Sequence, residues 1–235
     1  MIVLGFDTST TSTAVGLSLD DGSTLQARDD PRVGSHPGHA TRLLPIADEL
    51  LGRAGIGWSS LERIAVGVGP GTFTGLRVGV ATARGLAQSL GIDLVGVSSL
   101  RALAEPVLGS EGGARRVLAV LDARRGEAFV AAYETADRGP VELVAPVALA
   151  PEDLHDVVES SARWEAIGDG AVRFRSDLES AGIMVPPDSS PLHLLSAEAI
   201  CALGARAEIV ESGRGIVPDY RRRPDAEIAL ERAGS

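Results

Sequence analysis

Three short stretches carry residues that could handle a phosphate or a metal. Asp7-Thr-Ser-Thr10 ends an apolar run, placing one carboxylate and three hydroxyls in a turn. Gly69-Pro-Gly71-Thr72 follows a second apolar run and leads into a segment of helical periodicity. A glycine turn at a helix N-terminus collects unpaired backbone N–H groups and the positive end of the dipole, which together favour an anion. Asp122, with Arg124 and Gly126, repeats the strand–Asp–turn layout later in the chain. In a nucleotide fold Asp7 and Asp122 would flank a metal, while Thr8, Ser9, Thr10, Gly69, Gly71 and Thr72 would hold phosphates. The same residue types equally make capped turns, because Asp, Ser and Thr bond readily to their own backbone.

Other chemistries are thinly represented. All 22 basic residues are arginine, which excludes Schiff-base chemistry and a P-loop lysine. His36 and His39 are separated by Pro37-Gly38, which breaks any shared helical face, and no His-x-x-x-His occurs. No metal site is expected. A Gly-x-Ser-x-Gly elbow is absent, so a hydrolytic triad has no anchor. Gly168-Asp-Gly170 is a weak candidate for an adenosine turn. These residues favour a non-catalytic chain; the competing reading is an actin-like ATP-dependent transferase or ATPase that uses Asp7 and Asp122 around magnesium.

The charge argues against direct nucleic-acid binding. The formal net charge is −10, with nine acidic and seven basic residues in 1–100 against twenty-three and fifteen in 101–235. Affinity for RNA or DNA comes largely from neutralising phosphates, which needs the opposite sign. Cys201 is the one cysteine, so no internal disulfide forms, and no leader-like apolar segment opens the chain. A cytoplasmic location is expected.

Positioning these residues requires alternating strands and helices. Apolar runs predict strands at 2–6, 13–19, 25–28, 64–68, 94–97, 117–121, 127–133 and 164–167, with Asp20-Asp-Gly22 turning the hairpin of the second and third. A further strand over 141–148 is expected. Helical spacing predicts helices over 39–53, kinked by Pro45, and over 75–90, 98–104, 151–161, 171–181 and 196–209. The second of these is unusual. Gly75, Gly79, Ala83 and Ala87 recur every fourth residue, flanked by Leu76 and Val80, and make a face that another backbone can approach closely. From the residues alone this face fits either a partner helix or the chain's own sheet. The order β-β-β-α-β-α-β-α, then a second strand–Asp–turn–strand, predicts an α/β fold of two lobes with mixed sheets. The second lobe is a degenerate repeat of the first. The lobes are expected over 1–103 and 104–235, with a mobile tail from about 221.

Six stretches together resemble the TsaB (YeaZ) family, accessory subunits of bacterial tRNA threonylcarbamoyladenosine biosynthesis. They are Asp7-Thr-Ser-Thr10, His39-Ala-Thr-Arg-Leu-Leu-Pro45, Gly69-Pro-Gly-Thr-Phe-Thr-Gly-Leu-Arg77, Gly96-Val-Ser-Ser-Leu100, Asp122-Ala-Arg-Arg-Gly-Glu127 and Pro218-Asp-Tyr-Arg221. The third is highly specific, and the set spans about 215 of 235 residues. The resemblance implies an actin-like ATPase (ASKHA, ribonuclease H-like) fold without catalysis of its own. It implies a TsaD-like catalytic subunit as partner, a TsaE-like ATPase, tRNA held only through the complex, and a homodimer in isolation. No cofactor is implied for this chain, with ATP and magnesium entering only in the complex. Carried over, the partner helices contribute His39, Leu43, Leu44, Ala47 and Leu50, then Gly75, Leu76, Gly79, Val80, Ala83 and Ala87. The Arg221-Arg-Arg223 run has no counterpart in the family pattern.

Overall fold

The computed structural model describes residues 1–32, 35–109, 116–136, 139–158, 162–209 and 215–221. The apolar runs form two sheets. In the first, β1 (Val3–Asp7), β2 (Thr13–Ser18), β3 (Thr24–Asp29), β4 (Arg63–Gly69) and β5 (Asp93–Ser98) lie in the order β3-β2-β1-β4-β5. β1 runs antiparallel to β2 and parallel to β4. In the second, β6 (Arg116–Arg124), β7 (Glu127–Ala136), β8 (Gly139–Leu149) and β9 (Trp164–Ile167) lie in the order β8-β7-β6-β9. The second sheet therefore repeats the first strand for strand, with the fifth missing among the described residues. That is the degenerate duplication the sequence pattern predicts.

Each sheet is covered on both faces. α1 (His39–Ala54) and α2 (Phe73–Leu90) pack on one face of the first sheet, where Leu43, Leu50, Val80 and Ala83 meet Leu4, Phe6, Ile64 and Val66. α6 (Ala197–Arg206) covers the other face, its Ile200 and Cys201 against Val3, Ala65 and Val95. The approach is close because Gly5 and Gly16 stand opposite each other in the β1–β2 register. A Cβ on Gly5 would lie 2.7 Å from Cys201 Sγ, and one on Gly16 would lie 2.8 Å from the Ala197 carbonyl oxygen. Arg63, buried in β4, donates through Nη1 to the carbonyls of Gly204, Ala205 and Ala207 at 2.8, 3.2 and 3.1 Å. A cation there satisfies the orphan acceptors at the C-terminal end of α6.

α3 (Ser99–Leu108) joins the sheets, capped by Ser98, and lays Leu100, Leu103 and Val107 on the second one. α4 (Asp169–Arg173) and α5 (Arg175–Ser180) cover the opposite face.

Several expectations change in detail: α3 continues to Leu108, and α6 ends at Arg206. α1 runs unbroken through Pro45, which sits on its exposed side. The helix expected over 151–161 is a 3₁₀ segment, Pro151–Val157. The one expected over 171–181 divides at Phe174, which turns inward and is 7% exposed. The tail after Arg221, with Arg222 and Arg223, lies outside the described residues.

Candidate functional site

The turn after β1 and the glycine turn after β4 meet, because parallel pairing of β1 and β4 brings their C-terminal ends together. Asp7 lies at the centre and is 1% exposed. Its Oδ1 accepts the Ser9 N–H at 2.6 Å and its Oδ2 accepts the Ser99 hydroxyl at 2.6 Å. Ser99 Oγ in turn accepts the Gly69 N–H at 3.2 Å. One carboxylate thus ties β1, the glycine turn and the start of α3 together. Burial raises its pKa above 3.8, opposed by the Ser9 and Ser99 hydrogen bonds and by nearby His39. Gly67 is required beside it, since a Cβ there would stand 1.7 Å from Asp7 Oδ2.

The two turns interlock directly. Thr72 N–H donates to the Ser9 carbonyl at 2.7 Å, and Thr8 Oγ1 donates to the Gly75 carbonyl at 2.7 Å. A Cβ on Gly71 would lie 2.5 Å from Ser9 Cβ. Gly69 has φ +103°, a left-handed conformation suited to glycine, and the Gly69–Pro70 peptide is cis. The geometry therefore joins Asp7, Thr8, Ser9, Gly69, Gly71 and Thr72, with Gly71 packed directly on Ser9.

Two buried polar atoms here, Ser9 Oγ and His39 Nε2, lack a hydrogen-bond partner among the described residues. His39 Nδ1 lies 2.8 Å from Thr13 Oγ1, and burial lowers its pKa below 6.5 against the pull of Asp7.

Asp122 is placed elsewhere, on β6 of the second sheet. Its Oδ1 accepts the Arg124 N–H at 2.8 Å, and its Oδ2 takes Arg124 Nη1 at 3.1 Å and Arg173 Nη1 at 2.8 Å. Asp169, its pKa raised by burial, accepts the Asp122 N–H at 3.0 Å. Gly168 and Gly170, the candidate adenosine turn, pack on β6 instead. A Cβ on Gly168 would stand 2.1 Å from the Val120 carbonyl oxygen, and one on Gly170 would stand 2.8 Å from Leu121 C.

The small stripe on α2 is turned inward. Gly75, Leu76, Gly79, Val80, Ala83 and Ala87 are all buried in the chain's own core. A Cβ on Gly75 would be 1.9 Å from the Thr8 carbonyl oxygen, and one on Gly79 would be 2.4 Å from Thr8 Oγ1. The backbone that Gly75 and Gly79 approach closely is that of the β1 turn. His39, Leu43, Ala47 and Leu50 of α1 are likewise buried, and of the α1 residues named for partner contact only Leu44, 42% exposed, faces out. The outward residues include Thr41, Leu44, Pro45 and Asp48 on α1, beside exposed Arg42, Glu49 and Arg53, and Thr74, Ala81 and Gly85 with half-buried Val78 on α2, beside exposed Arg77 and Arg84.

One surface cluster has no forewarning in the sequence. Phe73 and Arg77 of α2 meet Tyr220, the Phe73 and Tyr220 ring centroids 5.1 Å apart and Arg77 Cζ 3.7 Å over the Phe73 ring. Both parts stand in recognised stretches, but nothing in the spacing of Pro218-Asp-Tyr-Arg221 tells where it lands.

Comparison with known proteins gives the chain a family. Residues 31–165 match the family model described as TsaD, tRNA N6-adenosine threonylcarbamoyltransferase. The tRNA threonylcarbamoyladenosine biosynthesis protein TsaB of Escherichia coli is 34% identical over 176 residues, 72% of either chain. A crystal structure from Pseudomonas aeruginosa, described as similar to peptidase YEAZ, superposes with a TM-score of 0.76 at 32% identity, covering 94% of this chain and 99% of that one. A ROK family protein from Streptococcus pneumoniae shares the fold alone, with a TM-score of 0.50 at 9% identity, covering 88% of this chain and 99% of that one. With two repeated mixed sheets, an actin-like arrangement and these relatives, the chain belongs to the TsaB family.

Proposed function

We propose that this chain is a non-catalytic subunit that binds and activates a TsaD-like threonylcarbamoyltransferase acting on adenosine 37 of tRNA. The observation that carries the reading is the outward surface of the adjacent helices α1 and α2. Their inward faces are fully used by the core, while Leu44, Pro45, Val78, Ala81 and Gly85 present small and apolar groups outward. Burying such a surface contributes about 25 cal/mol per Å² before the cost of association.

Two further features support a role without catalysis. Both oxygens of Asp7 are engaged by Ser9 and Ser99, and Asp122 is paired with two arginines. In this reading the chain requires no cofactor of its own, and ATP and magnesium enter with the complex. The net charge of −10 fits a subunit that meets tRNA only through its partner. In this reading a TsaE-like ATPase joins the complex, the same α1–α2 face forms a homodimer in isolation, and the protein works in the cytoplasm.

Light scattering with the cognate TsaD-like subunit tests the reading. Wild type should form a heterodimer, and Ala81→Glu, which places a carboxylate on the outward ridge, should remain folded and unpaired. Heterodimer formation by Ala81→Glu at wild-type affinity would refute it.

A further inference from the structure

The segment 215–221 lies on the face of the first sheet opposite α6. Ile216 packs with Leu94, Val66, Val80 and Ala83, whereas α6 sits among Val3, Ala65 and Val95. The chain has therefore changed face between Arg206 and Ile216. From Ile216 onward it is tied to α2 and β4 at several points. Arg84 Nη2 donates to the Ile216 carbonyl, Asp219 N–H donates to the Val68 carbonyl at 2.7 Å, and Arg77 Nε–H donates to Tyr220 Oη at 3.2 Å. The segment is a strap held along one side of α2.

Its last turn is built like a contact site. Phe73, Arg77 and Arg84 fall on one helical stripe, next to the outward ridge of Thr74, Ala81 and Gly85. The stacked guanidinium of Arg77 is fixed by Phe73 below and Tyr220 beside it. Tyr220 is 44% exposed and Val217 61% exposed. Aromatic and arginine side chains held rigid before binding are the types that dominate interface energies, because little rotamer freedom remains to be lost.

The strap also lies outside residues 31–165, the part shared with the transferase family model, whereas α1 and α2 lie within it. The strap thus adjoins, on the same side of α2, helices that fall within the matched region. Resting on the function proposed above, we infer that the Phe73–Arg77–Tyr220 cluster is part of the docking surface, and that its occupant is the TsaD-like subunit. The strap extends the α2 ridge and gives the heterodimer a contact beyond those of α1 and α2.

The test measures affinity for the TsaD-like subunit with wild type, Tyr220→Ala, Tyr220→Phe and Ala81→Glu, each checked by thermal melting. Amide exchange of residues 216–221 in wild type, free and paired, is followed in parallel. Tyr220→Ala is expected to weaken pairing at least tenfold, Tyr220→Phe less than threefold, and pairing should slow exchange in 216–221. Wild-type affinity for Tyr220→Ala while Ala81→Glu fails to pair would overturn the strap contact and leave the proposed function standing. Unchanged affinity for Ala81→Glu would remove the α1–α2 interface and the strap contact with it. Should Tyr220→Ala melt early, the exchange experiment decides on wild type alone: slowed exchange supports the contact, and unchanged exchange overturns it.

Discussion

Gly75→Ala and Gly85→Ala put the same methyl group on the same helix and should move stability in opposite directions. At Gly85 a Cβ meets nothing within 4 Å. The substitution there acts only through backbone freedom and should stabilise by roughly 0.5–1 kcal/mol. At Gly75 the new carbon would stand 1.9 Å from the Thr8 carbonyl oxygen and 2.6 Å from Thr72 Oγ1. A carbon and an oxygen rest about 3.3 Å apart, so α2 must withdraw from the β1 turn by more than about 1 Å. Overpacking of that kind costs roughly 1–3 kcal/mol. The same withdrawal breaks the Thr8 hydroxyl bond to the Gly75 carbonyl, 2.7 Å long, and loses about 1 kcal/mol more. Set against the propensity gain, the net loss is roughly 2 kcal/mol. Urea unfolding followed by circular dichroism should place the two midpoints on opposite sides of wild type. A Gly75→Ala protein as stable as Gly85→Ala would refute the inward packing of the small stripe.

Ala83→Glu sets a carboxylate at a position with no solvent exposure. It should lose roughly 3–5 kcal/mol or fail to fold, as an unpaired buried charge does, while Ala81→Glu keeps the wild-type melting profile. Arg63→Met leaves the Gly204, Ala205 and Ala207 carbonyls without their donor. A loss of about 2–3 kcal/mol is expected, with amide exchange in α6 speeding up first; unchanged exchange there would show that Arg63 does not hold the helix end. Burial pushes the Cys201 thiol up to about 12 from 9.0. A folded-state pKa raised in this way gives stability that is complete below pH 9 and is lost as pH climbs toward 12. At pH 8 a disulfide reagent should modify Cys201 only as fast as the protein opens, and rapid labelling of the native form would contradict its seat under Gly5 and Gly16.

Much of this arrangement was legible in the sequence, and the reason it stops is physical. The apolar runs ending at Asp7 and at Asp122 correctly announced two repeated sheets, because strand burial writes itself into residue type. The stripe Gly75, Gly79, Ala83, Ala87 correctly announced a close approach of backbone. It did not say whose backbone, since a partner helix and the Thr8 carbonyl demand the same absence of side chains. Gly168-Asp-Gly170 misled for a related reason. Its glycines answer to Val120 and Leu121 on the neighbouring strand, and a glycine required by packing looks the same as one required by a ligand. Tyr220 was hidden by distance, because its contacts with Phe73 and Arg77 join residues more than 140 positions apart.

The strap also sets a clock on assembly. Every strand of the first sheet lies within residues 3–98, but Ile216, which fills the gap between α2 and β5, comes more than a hundred residues later. At a synthesis rate of roughly 5–20 residues per second, the interval is on the order of ten seconds. During that time the side of α2 that later carries Tyr220 is bare, and Phe73 and Arg77 have no third member. A chain interrupted anywhere in the second lobe would hold α1 and α2 without the strap. Such a fragment would carry the α1–α2 face without the strap contact, so the last piece of this surface is laid down only near the end of synthesis.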